Sequence, residues 1–506
     1  MKLLNNRILI TVMLLAIQIY WMFLMLTRLA SYSTWISIVF TIISIIIILF
    51  LVKKDENPNY KIAWIVLVMI LPLFGGLLYL FFGGKRPSKK MREKFNIQRS
   101  KMKGIMPEDN ETLEQIDNEM TRGIGAARYI SGQTGYPVYS NTQTKYYPLG
   151  DSMFEDMLDA LRSAKHFIFI EYFIVQEGKM WDSMLAILEE KVNEGVEVRF
   201  IYDDFGSLLT LPQDYSLKLE RKGIKCYAFN PFVPVMSLVM NNRDHRKILV
   251  VDGYIGFTGG INLSDEYINE YARFGHWKDS GIRLIGEGVW NLTHMFLEMW
   301  NSFRCEDTSF DMFMPHVYHI DEFESDGYVQ PFGDSPLDDE TVGENVYLDI
   351  VNKANKYVYI FTPYLVLDDQ MKDSLCLAAK RGVDVRIVTP GIPDKKIVYR
   401  LTRSNYTPLL KAGVRIYEYS PGFLHAKSFV SDDSCGVVGT INLDYRSLYL
   451  HFECGAYLIG CSAIESLKKD CLETMEKSQE IVKEFHIHGV ISQLFDAILC
   501  LLSPIL

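Results

Sequence analysis

The chain has 506 residues, eight cysteines and a formal net charge of −10. That length allows two or three domains with substantial cores, which excludes a small disulfide-stapled scaffold. The acidic balance argues against a general nucleic-acid binder, whose phosphate contacts need a cationic surplus, and scattered cysteines without a CxxC pair read as reduced thiols with no zinc site.

Three apolar runs open the chain, at 8–27, 35–52 and 62–82. Each approaches the roughly 20 residues that cross a bilayer core. The first lacks a small-residue cleavage site. The third contains Pro72, Gly75 and Gly76, which suit a kinked or re-entrant segment as well as a straight span. Two or three spans in 1–84 are both open, and with them the side of the N-terminus. Lys85, Arg86, Lys89, Lys90, Arg92 and Lys94 follow at once. This basic cluster predicts a multi-pass cell-membrane protein whose large C-terminal portion is cytoplasmic. The region 85–135, basic and then acidic, shows little strand patterning and reads as a juxtamembrane linker.

From there the chain repeats itself. AKHFIFIEYFI from Ala164 aligns with ANKYVYIFTPYL from Ala354, GVEVRFI from Gly195 with GVDVRIV from Gly382, and GIKCYAFNP from Gly223 with GVRIYEYSP from Gly413. Apolar β-branched and aromatic runs at 168–170 and 198–202 predict strands, and 181–191 has helical spacing. This alternation predicts an α/β layer structure in each half: a first domain over 136–310 and a second over 311–506. The apolar tail 490–506 fits either a bilayer surface or a last core helix, and the loop 231–242, present only in the first copy, either an acyl groove or a packed loop.

The chemistry lies in HRKILVVD from His245 and HAKSFVSD from His425. Fourteen residues after each histidine comes Gly259 or Gly439, and seventeen after it Asn262 or Asn442. Residues 248–251 read as a buried strand, Asp252-Gly253 as a turn and the run to Gly260 as a second strand. Histidine and lysine two apart on a strand share a face, so an imidazole and an ammonium stand beside one phosphate. Asn262 and Asn442 return to that end as amide donors for a phosphoryl oxygen. The aspartates fall on the opposite face, which assigns Asp252 and Asp432 to the turn. Two copies supply a histidine nucleophile and a histidine acid/base, with Lys247 and Lys427 on the non-bridging oxygens and neither metal nor cofactor. A reacting histidine needs its second ring nitrogen held, and a carboxylate downstream in each half is available, Asp279 in the first and Glu453 in the second. His166, His276, His294, His316, His319 and His451 read as ordinary packed or exposed histidines, and His486 and His488 as too weak a pair for a metal.

The paired HxKxxxxD motifs with their glycines and asparagines resemble the phospholipase D superfamily. RDHRKILVVDGYIGFTGGINLSDEY, GTINLDYRSLYLHFE and the apolar N-terminus are similar, more narrowly, to bacterial cardiolipin synthases. The resemblance implies two tandem phospholipase D-like α/β domains related by a pseudo-two-fold, with the site at their junction. It also implies transfer of a phosphatidyl group from one phosphatidylglycerol to another through a phosphohistidine, giving cardiolipin and glycerol. It further counts Asp252 and Asp432 with the active site, in support, and favours His245 as nucleophile and His425 as acid/base. A membrane phospholipase D using water or another alcohol stays open, as does a non-catalytic membrane scaffold.

Overall fold

A computed structural model describes residues 34–504 except 71–74, 77, 81–82, 85–86, 120–122, 232–240, 339 and 483–489, together with scattered positions between 13 and 28. The first apolar run, most of the 231–242 loop and the His486/His488 pair lie largely or wholly outside the described residues.

Eight strands belong to the first half: β1 Thr142–Tyr147, β2 Phe167–Tyr172, β3 Glu197–Asp203, β4 Lys225–Phe229, β5 Lys247–Val251, β6 Ile255–Gly259, β7 His276–Lys278 and β8 Gly281–Gly286. Seven form one sheet in the order β1-β8-β6-β5-β2-β3-β4. The second half has β9 Tyr328–Asp334, β10 Tyr357–Phe361, β11 Asp384–Pro390, β12 Arg415–Tyr419, β13 Gly422–Leu424, β14 Ser428–Ser431, β15 Cys435–Gly439, β16 Glu453–Ile459 and β17 Ser478–Glu480. Its sheet runs β17-β12-β11-β10-β14-β15-β16-β9. Read outward from the hairpins β5–β6 and β14–β15, the two orders are the same, and β17 is an addition that pairs along β12. The expected α/β repeat is present, with three parallel strands (β2-β3-β4, β10-β11-β12) joined to antiparallel ones in each sheet.

Strand periodicity divides the cores. Phe167, Phe169, Ile248 and Val250 enter one hydrophobic cluster with Phe296 and Leu297 of the helix Val289–Phe303. Their neighbours Ile168, Ile170, Leu249 and Val251 enter another with Met157, Leu161, Trp181 and Leu188 of the helices Gly150–Ser163 and Lys179–Asn193. Helices therefore cover both faces of the first sheet, which is why its central strands read as nearly continuous apolar runs. The first of these clusters continues into the second half through Val346, Phe429 and Val437.

The region 85–135, expected as a juxtamembrane linker with little strand patterning, is helical in large part. It holds the helices Lys89–Lys101, Asn110–Glu119 and Ile124–Thr134. Ser88 caps the first, its hydroxyl accepting from the Met91 N–H at 3.1 Å. Met91, Phe95, Gln98 and Met102 are buried, an i, i+4, i+7, i+11 stripe too narrow to stand out in a basic sequence. Phe95 stacks on Phe452, ring centroids 5.3 Å apart, directly behind the strand that begins at Glu453.

Near the N-terminus lie the helices Thr34–Lys53 and Pro58–Ile70. Their described side chains include exposed Ile42, Ile45, Ile46, Leu49, Phe50, Met69 and Ile70. Among the described residues no helix is long and apolar enough to cross a membrane. The turn between these helices reaches the second half, where Asn57 Nδ2 donates to Asp368 Oδ2 and the Tyr449 hydroxyl at 2.9 Å each. The helix Val490–Leu502 is amphipathic. Arg400 grips its Ser492 and Asp496, whereas Leu494, Phe495 and Ile498 face outward.

Candidate active site

Each signature begins just ahead of a hairpin whose turn is held from inside. Asp252 and Asp432 sit at φ 49° and 54° in the left-handed region, as does Gly253 at 77°. An aspartate tolerates this because its short carboxylate bonds locally. Asp252 accepts the N–H groups of Lys165, His166 and Phe167 at 2.8–2.9 Å. Asp432 accepts those of Asn355, Lys356 and Tyr357 at 2.8 Å. Both carboxylates thus anchor the start of the neighbouring strand, away from the histidines, as the face argument required. At the other end of the hairpin, a Cβ on Gly259 would lie 2.5 Å from the Gly281 Cα, and one on Gly439 would lie 2.5 Å from the Cys454 carbonyl oxygen. Those glycines let β8 and β16 come close enough to deliver the residues just before them or at their start, Asp279 and Glu453.

The delivery crosses between halves. The His245 N–H donates to the Phe452 carbonyl at 2.9 Å, and the His425 N–H donates to the Lys278 carbonyl at 2.6 Å. The next residue on each supplying segment reaches the ring: His245 Nδ1 lies 2.9 Å from Glu453 Oε2, and His425 Nδ1 lies 2.6 Å from Asp279 Oδ2. Each half therefore orients the other half's histidine. The sequence offered one carboxylate in each half without its partner, and the structure sets each against the histidine of the other half. The parallel pairing of β7 with β13, and the bridge between Asp244 and Phe452, cross the junction at the same places.

Both histidines and both lysines are buried. Lys247 Nζ donates to the His245 carbonyl at 2.5 Å. Lys427 Nζ does the same to the His425 carbonyl and also lies 2.8 Å from His425 Nδ1. That nitrogen has one site to offer, and with Asp279 ionised it donates there, so Nε2 of His425 carries the lone pair. Burial, then the charges of Lys247, Lys427 and His425, hold the His245 imidazole well below its ordinary pKa. His425 is pushed down to about 4 by burial and Lys427, against the pull of Asp279. Burial lowers Lys247 to about 8 and Lys427 to about 7. Cations packed together away from water favour an anionic ligand.

The asparagines behave unequally. Asn262 accepts from the Ile174 N–H at 3.1 Å and donates from Nδ2 to the Tyr267 hydroxyl at 2.8 Å, leaving one amide hydrogen for a ligand. The Asn442 N–H donates to Ser447 Oγ at 2.8 Å, and its side-chain Oδ1 is buried without a hydrogen-bond partner among the described residues.

Several residues of the site were not singled out from the sequence. Thr440 donates to Glu453 Oε2, and Ser447 donates to Oε1 at 2.6 Å. Tyr267 and Ser447 each stand five residues after an asparagine, a match that the repeat could have exposed. Arg246 pairs with the fully buried Glu171 at 2.7 Å behind His245. His451, read as an ordinary histidine, has its ring 5.8 Å from that of His245.

A family model described as "Cardiolipin synthase, PLD-like domain" matches residues 157–272 and 347–472, so each match contains one signature. A second, "Phospholipase_D-nuclease N-terminal", matches 39–84. A cardiolipin synthase of Bacillus cereus is 33% identical over 96% of this chain and 96% of its own length. One from Alkalihalophilus pseudofirmus is 32% identical over 93% and 94%. An uncharacterized protein of Streptococcus mutans is 44% identical over 91% of this chain and 99% of its own. Among solved structures, a phosphatidylserine synthase from Haemophilus influenzae superposes with a TM-score of 0.57 over 76% of this chain and 97% of its own, at 13% identity, a likeness of fold.

Proposed function

This chain belongs to the family of cardiolipin synthases with phospholipase D-like domains, and on that premise we propose how it joins two phosphatidylglycerol molecules into cardiolipin and glycerol. The observation that carries the reading is the crossed pair of carboxylate–histidine contacts with two lysines in one buried site.

A phosphodiester entering between the signatures brings negative charge to the two lysines. Lys247, Lys427 and the amides of Asn262 and Asn442 take its non-bridging oxygens. His245, with Nδ1 held by Glu453, attacks phosphorus through Nε2, and the bond to the glycerol headgroup breaks. His425, charged by a proton as the phosphate anion relieves the repulsion around it, gives that proton to the departing alkoxide. The products of this half are phosphatidyl-histidine and glycerol. His425 then removes the proton from the headgroup hydroxyl of a second phosphatidylglycerol, whose oxygen displaces His245. The step reverses the first in form, so the whole exchange is close to balanced and needs no energy source.

The substrate is a lipid, and the N-terminal region supports a membrane setting. The apolar residues along Thr34–Lys53, the match over 39–84 and the basic cluster after it favour a multi-pass anchor with the two domains on the cytoplasmic side. The outward Leu494, Phe495 and Ile498 of the C-terminal helix suit the same interface.

The test is to incubate the purified protein in micelles with phosphatidylglycerol alone and identify products by mass spectrometry. Cardiolipin with an equimolar amount of glycerol is expected. Phosphatidic acid in place of cardiolipin would overturn the reading in favour of hydrolysis.

A further inference from the structure

His451 is a largely enclosed histidine, its side chain 12% exposed, that the reaction above does not use. Both of its ring nitrogens are shielded from solvent and have no hydrogen-bond partner among the described residues. Leaving two polar atoms in that state is costly unless a ligand satisfies them. The nearest carboxylate oxygen, Glu453 Oε1, lies 3.8 Å from His451 Nδ1, outside hydrogen-bonding distance. Glu453 is at the same time 2.9 Å from His245. One ligand atom from each of His245, His451 and Glu453 falls within 4.8 Å of the others.

We propose that His245, His451 and Glu453 form an inhibitory site for a transition-metal dication of the Zn²⁺ type. Two imidazoles and a carboxylate are a donor set for such an ion rather than for Mg²⁺ or Ca²⁺, which prefer oxygen. Bonds of about 2.0–2.2 Å to a shared tetrahedral centre place donors roughly 3.3–3.5 Å apart. His245 Nδ1 lies 2.9 Å from Glu453 Oε2 and His451 Nδ1 lies 3.8 Å from Glu453 Oε1, separations to the two oxygens of one carboxylate that bracket that value, so side-chain rotations bring one donor from each residue to a common centre. Beside His451 opens a cavity of about 660 Å³ whose wall includes Glu56, Asp334, Glu344 and Asp368, a lining that concentrates cations at its mouth.

Coordination uses an imidazole lone pair. With the ion at Nδ1, the nitrogen that faces Glu453, the displaced proton moves to Nε2 by way of solvent, and an Nε2 that carries a proton cannot attack phosphorus. The ion also takes Glu453 from its orienting role. The site needs both halves of the chain, which is why spacing in the sequence did not suggest it.

Binding and inhibition are tested separately, since only inhibition rests on the proposed role of His245. The full-length protein in micelles is titrated with Co²⁺ as a spectroscopic stand-in, and its visible absorption is followed without substrate. Saturation at one ion per chain, competed away by Zn²⁺, is expected. His451→Gln should raise the half-saturating concentration at least about tenfold, the lower end of what loss of even a supporting contact costs a metal site; His451→Asn serves if the first variant does not fold. Zn²⁺ should also stop cardiolipin formation by the parent protein, with recovery on chelation, and inhibit the variant far less relative to its own metal-free rate. Equal titrations for parent and variant would overturn the site. One-ion binding that leaves the rate of the parent unchanged would overturn the inhibition and count against His245 as a reacting group.

Discussion

The two histidine sites are alike in backbone and unlike in side chain. In both, a carbonyl from the opposite half holds the histidine N–H, and the following carboxylate holds Nδ1. The carboxylates differ in surroundings. Asp279 takes the N–H of Ser280 at 2.8 Å besides its histidine, and although burial opposes ionisation, the charges of His425 and Lys427 hold it below the usual carboxylate range. Glu453 takes the hydroxyls of Thr440 and Ser447, and burial outweighs its partners and raises it. The duplicated frame thus supplies position, while the two carboxylates differ in how readily they ionise. In the proposed mechanism the lowered Asp279 suits the acid/base His425, and the raised Glu453 suits the nucleophile His245.

The largest expected effect comes from removing either ring. His245→Ala and His425→Ala should each cut cardiolipin formation by at least roughly 10²–10⁴-fold, the scale of acid–base help alone, as read by product mass spectrometry. The comparison sharpens with the carboxylates. If orientation crosses between halves, Glu453→Gln should phenocopy loss of His245, reducing phosphohistidine formation. Asp279→Asn should phenocopy loss of His425, and both should cost on the order of 10²-fold or more. Within-half pairing would exchange those phenotypes.

The anchoring aspartates should show the symmetry that the carboxylates lack. Asp252→Ala and Asp432→Ala each strand three backbone N–H groups, and each should lower stability by roughly 2–4 kcal/mol, measured by thermal or denaturant unfolding. A large difference between the two would break the equivalence of the halves.

The smallest effect is on pH dependence. Lys427 and Lys247, depressed to about 7 and 8 in the free site, are restored towards their ordinary value by a bound phosphodiester. The bound state then holds more protons, so affinity for a non-reacting phosphodiester should be full below pH 7. It should fall as pH rises through 7 and 8, by up to about tenfold per pH unit per lysine. Calorimetry in buffers of different ionisation enthalpy should show proton uptake, largest above pH 7.

Much of this was legible because local rules and the global fold agree. The Asp252 turn, the strand faces and the α/β repeat follow from periodicity and turn chemistry, and the paired signatures follow from their matched glycines and asparagines. What was missed depends on contacts distant in sequence. Spacing cannot show that Glu453 meets His245, since the crossing is created by the packing of one sheet against the other. The helix Lys89–Lys101 buries only the stripe of Met91, Phe95 and Gln98, which Met102 continues at its C-cap, and its charged remainder masked it as a linker. His451 looked ordinary because its environment is assembled from both halves.

The central claim is a division of labour between two cross-oriented histidines, and trapping tests it most directly. The protein is quenched during turnover with headgroup-distal labelled phosphatidylglycerol, digested under conditions that preserve phosphoramidates, and mapped. The account predicts label on the peptide containing His245, lost in Glu453→Gln and kept in Asp279→Asn. Label on His425, or label at His245 that depends on Asp279 in place of Glu453, would contradict it.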